Sequence, residues 1–236
     1  MARDFMEILC GNSYPGRGIL IGCSHDGKRS LIVYFIMGRS ENSRNRVFER
    51  TSDGIRTAAF NSTKLTDPSL IIYHPVRVQE ARTIVTNGDQ TDTIADNLNF
   101  NVALRTREFE PDPPNYTPRI SGILEQNGAY ALSILKTMNG DPEFCQRNFY
   151  EFSGLQRGIG HFISTYKTDG DPLPSFEGEP IAVDIADSAG LEAFAYEIWN
   201  ALDGDNKVSL YAREQHLETG ESNDLIINKH KHGDVK

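Results

Sequence analysis

Thr83 to Asp96 read TIVTNGDQTDTIAD, and the parsing of the whole chain turns on this stretch. Thr83 to Thr86 is a β-branched run of the kind that ends a strand. Asn87-Gly88 is a turn signal, because both residues tolerate positive φ. Asp89 then stands at a helix N-cap position, with Asp92 placed to reach back to it. The spacing predicts strand, tight turn and helix, with Ile94, Leu98 and Val102 on the helix's apolar face. Free backbone N–H groups and the positive end of the helix dipole face whatever lies above the strand. Capping alone accounts for such a pattern. Yet most residues from Thr86 to Asp96 carry hydroxyls, amides or carboxylates, more than a cap requires, and a polar ligand site is expected.

Outward from there the chain is rich in hairpins. Gly18 to Cys23 and Leu31 to Met37 read as strands around the turn SHDGKR. Leu31 to Met37, LIVYFIM, is apolar without alternation, the mark of a strand covered on both faces. Arg46 to Thr51 pairs with Ile55 to Phe60 around Ser52-Asp53-Gly54, and Arg119 to Gln126 with Ala129 to Thr137 around Asn127-Gly128. Leu70 to Tyr73, Ala81 to Thr86, Glu143 to Phe152, Gly160 to Thr168 and Lys207 to Ala212 add strands. A second helix, capped by Asp187, presents Leu191, Phe194, Ala195, Ile198, Trp199 and Leu202 and stops at Gly204. Glu110 to Asn115 and Asp171 to Pro180 are proline-rich loops. Residues 1–13 read as a lead-in, and the polar tail after Glu218 is expected to fray. No linker divides the chain, so residues 1–236 form a single α+β domain with sheets sandwiched by helices.

Composition narrows the function classes. The formal net charge is −9, which disfavours general binding to nucleic acid or anionic membranes. An acidic chain that binds a phosphorylated metabolite must gather its arginines locally, and Arg39, Arg44, Arg46, Arg50 and Arg56 do cluster. The cysteines, Cys10, Cys23 and Cys145, lack CxxC spacing and suit reduced thiols in the cytoplasm. No signal peptide is evident, and no apolar run approaches the roughly eighteen residues of a membrane helix. The histidines lack metal-ligand spacing, so no metal is expected. Gly16-x-Gly18 and Gly158-x-Gly160 lead into β-rich runs rather than helices, so neither fits a dinucleotide loop.

TNGDQTDTIAD, with YTPRI at Tyr116 to Ile120 and YPGRGILIG at Tyr14 to Gly22, resembles the archaeal-type IMP cyclohydrolase family. GRSENSRNR at Gly38 to Arg46, DPSLIIYHPVR at Asp67 to Arg77 and ISTYK at Ile163 to Lys167 match in order. The resemblance implies a four-layer αββα sandwich of two mainly antiparallel sheets between helices, like that of the Ntn hydrolases. It also implies a reaction of de novo purine synthesis. The carboxamide nitrogen of 5-formamidoimidazole-4-carboxamide ribotide joins the formyl carbon, and loss of water gives IMP. That chemistry demands proton transfers and no cofactor.

The same resemblance assigns catalysis to Arg46, Tyr73 and Glu110. Asp112 is the alternative carboxylate, because EPDPPNYTPRI differs by a residue from the family pattern. Substrate binding falls to Arg17, Arg39, Asn87, Thr91, Asp92, Thr117, Arg119 and Lys167, with phosphate or ribose assigned among Arg17, Arg39 and Arg119. Asn139 to Gly158 and the tail after Glu218 have no counterpart in the pattern. The expected partners are the purine ribotide, IMP and further copies of the chain, with no nucleic acid or membrane. Two other readings stay open: a purine-nucleotide-binding protein without turnover, and an Ntn-type amide hydrolase using Cys10 after removal of residues 1–9.

Overall fold

The computed structural model describes residues 1–64, 72–80, 82–187 and 189–230. Within them two seven-stranded sheets face each other. The first runs, in spatial order, Arg3–Asp4, Ile181–Asp184, Ile159–Ser164, Arg17–Cys23, Arg29–Met37, Lys207–His216 and Ser222–Asn228. Its neighbours are antiparallel except the first pair. The second runs Asp141–Phe152, Tyr130–Met138, Arg119–Glu125, Arg82–Thr86, Val76–Gln79, Gly54–Ala59 and Arg46–Thr51, antiparallel throughout.

Side-chain alternation along one strand shows why the layers stack as they do. Leu31, Val33, Phe35 and Met37 pack with Phe5 and Leu9 of helix Phe5–Cys10 and with Phe194 and Ile198 of helix Leu191–Ala201. Ile32, Tyr34 and Ile36, on the other face, meet Phe48, Val85, Ile120 and Ile134 between the sheets. A third core joins Ile84, Ile123 and Leu135 to Ile94, Phe100, Ala103 and Leu104 of helices Gln90–Ala95 and Phe100–Arg105. The order is helix, sheet, sheet, helix. LIVYFIM is apolar throughout because both its faces are covered, as its pattern predicts. Each buried leucine, isoleucine or phenylalanine contributes about 1.5–3 kcal/mol.

Several local expectations are corrected. The helix expected to run on from Asp89 breaks after Ala95, and Asn99 starts a second one by accepting the Val102 N–H at 2.9 Å. That restart rotates the apolar face, so Leu98 is 99% exposed and Val102 49% exposed while Phe100, Ala103 and Leu104 turn inward. Asp89 makes no side-chain cap bond; its carboxylate pairs with Arg107 and Arg119. Asp187 is no cap either. It is buried and accepts the His25 N–H at 2.8 Å, and the last helix begins after Gly190 and ends at Ala201.

The N-terminal lead-in holds helix Phe5–Cys10, capped by Asp4, and the tail expected to fray supplies edge strand Ser222–Asn228. The Asn228 side chain clasps Phe48 of the other sheet, accepting its N–H at 2.9 Å and donating to its carbonyl at 3.0 Å. Of the expected strand Leu70 to Tyr73, Leu70 and Ile71 lie outside the described residues, as does Ala81, while Ile72 and Tyr73 belong to no strand.

Candidate active site

Strands Arg17–Cys23 and Arg46–Thr51 start at the same end of the sandwich. Alternation puts Arg17 on the face of Ile19 and Ile21, and Arg46 on the face of Phe48, so both guanidinium groups enter the layer between the sheets. Arg46 is 1% exposed and donates from Nε to the Ser43 carbonyl at 2.8 Å. The Arg17 Nε is buried with no hydrogen-bond partner among the described residues.

Tyr73 is buried beside them. Its backbone is pinned by Thr57, whose Oγ1 accepts the Tyr73 N–H at 2.9 Å and whose N–H donates to the Tyr73 carbonyl at 2.9 Å. The Tyr73 hydroxyl lies 3.0 Å from that of Tyr34, which is fully buried.

Glu110 enters from the proline-rich loop. Its N–H donates to the Thr117 carbonyl at 2.9 Å, and its carboxylate, 4% exposed, takes no hydrogen bond from a described residue. Burial pushes the Glu110 carboxyl above the usual carboxylate range, against the opposing pull of Arg17 and Arg119. Burial works to neutralise Arg17 as well, but the Glu110 carboxylate opposes it and helps hold the cation. Burial, then repulsion from Arg17, draws Arg46 down. The four groups therefore share one buried electrostatic field.

Glu110 and Asp112, the two candidate carboxylates, differ in their partners. Asp112 accepts the Thr117 N–H at 2.6 Å and the Thr117 hydroxyl at 2.5 Å, so its carboxylate is engaged while that of Glu110 is free. The Thr117 hydroxyl is likewise taken up within the protein, by Asp112 and Tyr166.

The opening motif proves to be a clasp. Asn87 donates to the Pro118 carbonyl at 2.9 Å and accepts the Ile120 N–H at 2.8 Å. Thr91 shares a 2.6 Å hydroxyl contact with Thr86, and Asp92, on the surface, pairs with Arg77 at 2.8 Å. Arg119 follows its strand's other face, donating to Gln90 at 2.6 Å and pairing with Asp89 at 2.8 Å. The density of polar side chains in this motif thus reflects bonds that fasten the turn to Pro118–Ile120 and Arg119. Arg39 pairs with Asp169 at 2.6 Å and lies over the Tyr14 ring at 5.1 Å. Lys167 is on the surface with Glu177 at 3.1 Å.

Three tyrosines of the cluster escaped sequence reasoning: Tyr14, Tyr34 and Tyr166. Tyr14 and Tyr166 stack with ring centroids 5.9 Å apart. All three stand in or beside recognisable segments, YPGR, LIVYFIM and ISTYK, so a phenol within each was the available signal. No group of three or more His, Cys, Asp or Glu gathers as a metal site among the described residues.

A family profile described as IMP cyclohydrolase-like protein matches residues 14–220. The IMP cyclohydrolase of Methanococcus aeolicus is 29% identical over 162 residues, 65% of this chain and 74% of the relative. That of Methanocaldococcus jannaschii is 28% identical over 184 residues, 74% of this chain and 84% of the relative.

Proposed function

The chain belongs to the IMP cyclohydrolase-like family, and from that membership we propose that it closes 5-formamidoimidazole-4-carboxamide ribotide to IMP with loss of water. The carrying observation is the meeting of Arg17, Arg46, Tyr73 and Glu110, from four separate segments inside the family match, in one buried cluster.

Both reacting groups lie on one molecule, so holding the reactive conformer supplies much of the rate. As the carboxamide nitrogen attacks, the N–C bond forms and the carbonyl pair moves to the formyl oxygen. The free Glu110 carboxylate takes the nitrogen's proton and returns it to that oxygen, giving a hydroxyl. The neighbouring formamide N–H then supplies the second proton, the hydroxyl leaves as water, and a C=N bond closes the ring. Tyr73 donates to the developing oxyanion and Arg46 stands by as a permanent cation. A carboxyl raised by burial is a better matched base near neutral pH. Arg17, with its buried Nε free, binds the ribotide, with Arg39 and Arg119 as further cationic contacts.

Incubating the purified protein with the formylated ribotide and following IMP absorbance tests the reading. A folded protein that binds IMP by calorimetry but forms none would be a nucleotide-binding protein instead. The amide-hydrolase reading loses ground, because cleavage before Cys10 would delete Phe5 and Leu9, both buried in the core. No helix among the described residues is long and apolar enough to cross a membrane, and we assign the reaction to the cytoplasm.

A further inference from the structure

A basic groove lies at the end of the sandwich where strand Lys207–His216 begins, and the chemistry above does not use it. Strands Lys207–His216 and Ser222–Asn228 pair antiparallel with Ser209 opposite Asn228, so Lys207 and Lys229 stand at the same end. The Lys229 N–H donates to the Val208 carbonyl at 2.9 Å and extends that pairing. Helix Glu41–Arg44 reaches the same end, because the Gly38 N–H before it donates to the Asn206 carbonyl at 2.8 Å. Arg44, Lys207, Lys229 and His230 thus line one cavity of about 310 Å³, and Asp205 is its one carboxylate among the described residues.

Carboxylates outnumber cations in this chain, yet here each cation is held by neutral oxygens. Arg44 donates from Nε to the Gly38 carbonyl at 2.9 Å and from its terminus to Asn206 Oδ1 at 3.1 Å. Lys207 donates to the Trp199 carbonyl at 2.8 Å and lies 4.8 Å over the Trp199 ring. Lys229 donates to the carbonyls of Gly204 at 2.8 Å and Asp205 at 3.0 Å. Burial, then the charge of Lys229, draws the Lys207 ammonium below its ordinary range, with Asp203 opposing. Like charges are therefore held close together, and an ammonium that gives one N–H to an oxygen keeps two for a ligand. An entering anion relieves the repulsion and takes up those donors.

A second cavity of about 300 Å³ adjoins the first, sharing Arg44 and His230 and adding Phe60. The Phe60 and His230 rings stack there with centroids 4.6 Å apart and planes at 20°. A nucleobase extends such a stack through its π-face, whatever its hydrogen-bonding edge. Lys64, at the rim, is paired with Glu41 at 2.6 Å. Neither cavity is lined by Arg17, Arg46, Tyr73 or Glu110. Lys229 and His230 also fall beyond residues 14–220, so the groove is built partly from chain outside the family match. We propose that it is a second nucleotide site. Arg44, Lys207 and Lys229 take the polyphosphate of a nucleoside di- or triphosphate, and its base lies against Phe60 and His230. A single phosphate offers these cations less charge, so a monophosphate binds more weakly.

The test is calorimetric titration of the full chain with ATP, AMP and inorganic tripolyphosphate, with excess IMP present to fill the other site. ATP should bind roughly tenfold more tightly than AMP. Lys229 is exposed at the end of an edge strand, so Lys229→Gln leaves the fold intact and should lower ATP affinity roughly tenfold. Lys28→Gln, an exposed lysine in the turn at the opposite end of the sheet, should leave it level. Phe60→Leu should weaken ATP roughly tenfold and leave tripolyphosphate unchanged. Should Phe60→Leu fail to fold, the wild type decides: ATP must bind more tightly than tripolyphosphate. Equal affinity for the two removes the base from the groove and overturns the proposal. So do equal losses in Lys229→Gln and Lys28→Gln, which would mean general charge attraction. ATP binding that excess IMP abolishes, or no ATP binding at all, overturns it too. None of these titrations reads turnover, so a chain that failed to form IMP would sink the cyclohydrolase reading and leave this site standing.

Discussion

The hydroxyls of Tyr34 and Tyr73 lie 3.0 Å apart, and either can donate. Tyr34 is 0% exposed and has no other hydroxyl partner among the described residues. Were Tyr73 the donor, the Tyr34 hydrogen would be buried without an acceptor, at a cost of about 1–3 kcal/mol. With Tyr34 as the donor, the Tyr73 hydrogen is left for the substrate and strengthened as a donor.

Tyr73→Phe should accordingly slow closure by roughly 10²–10³, mainly in kcat, because the oxyanion exists only beyond the ground state. Tyr34→Phe keeps the donor but loses its polarisation, and should cost about tenfold in the same parameter. Steady-state kinetics on both variants checks this. A Tyr34→Phe loss confined to KM would contradict the directed pair.

The acidic limb of the pH–rate profile belongs to Glu110. Burial raises its carboxyl, with Arg17 and Arg119 opposing. A base must be deprotonated, so kcat should rise with pH through a value above the usual carboxylate range of about 4.3. Glu110→Gln should abolish that limb and most of the rate, while Tyr73→Phe keeps the limb. If the limb survives in Glu110→Gln and vanishes in Tyr73→Phe, the phenol is the base.

Gly16 is fixed by what surrounds it. Its φ is +77°, and a Cβ there would lie 2.3 Å from Thr165 Oγ1 and 2.5 Å from the Tyr166 ring. Gly16→Ala combines the left-handed penalty of about 1–2 kcal/mol with an overlap of about 1–3 kcal/mol. Thermal denaturation should show a clear drop in Tm. An unchanged Tm would mean that strand Arg17–Cys23 tolerates a shift this packing denies.

The layers were legible in sequence because alternation, or its absence, is a property of neighbouring residues. LIVYFIM shows two covered faces, and SHDGKR and Asn127-Gly128 show where strands return. What escaped reading was decided at a distance. Asn99 restarts a helix that periodicity runs straight through Leu98, and Asp89 prefers two arginines from elsewhere to its own cap. The site behaves likewise. Family motifs named Arg46, Tyr73 and Glu110, but the engagement of Asp112 by Thr117 and the pairing of Tyr34 with Tyr73 exist only after folding.

Arg119 shows the same limit and yields a two-part expectation. From the sequence it is a ligand-binding arginine whose loss weakens IMP binding without unfolding the protein. In the structure it is 7% exposed, donates to Gln90 at 2.6 Å and pairs with Asp89 at 2.8 Å, so it also ties down the start of helix Gln90–Ala95. Gly88 is small for its sake, since a Cβ there would lie 2.2 Å from the guanidinium. Arg119→Ala should lower stability by about 1.5–3 kcal/mol, the worth of hydrogen bonds to a charged group, and lower IMP affinity roughly tenfold to a hundredfold. Asp89→Asn separates the two effects. Asp89 is half exposed, so its ion pair is worth at most about 1 kcal/mol, and its loss should leave IMP affinity near wild type. Calorimetric unfolding and titration on both variants decide between the roles. An Arg119→Ala protein that loses stability but binds IMP normally would make this arginine a structural clasp alone.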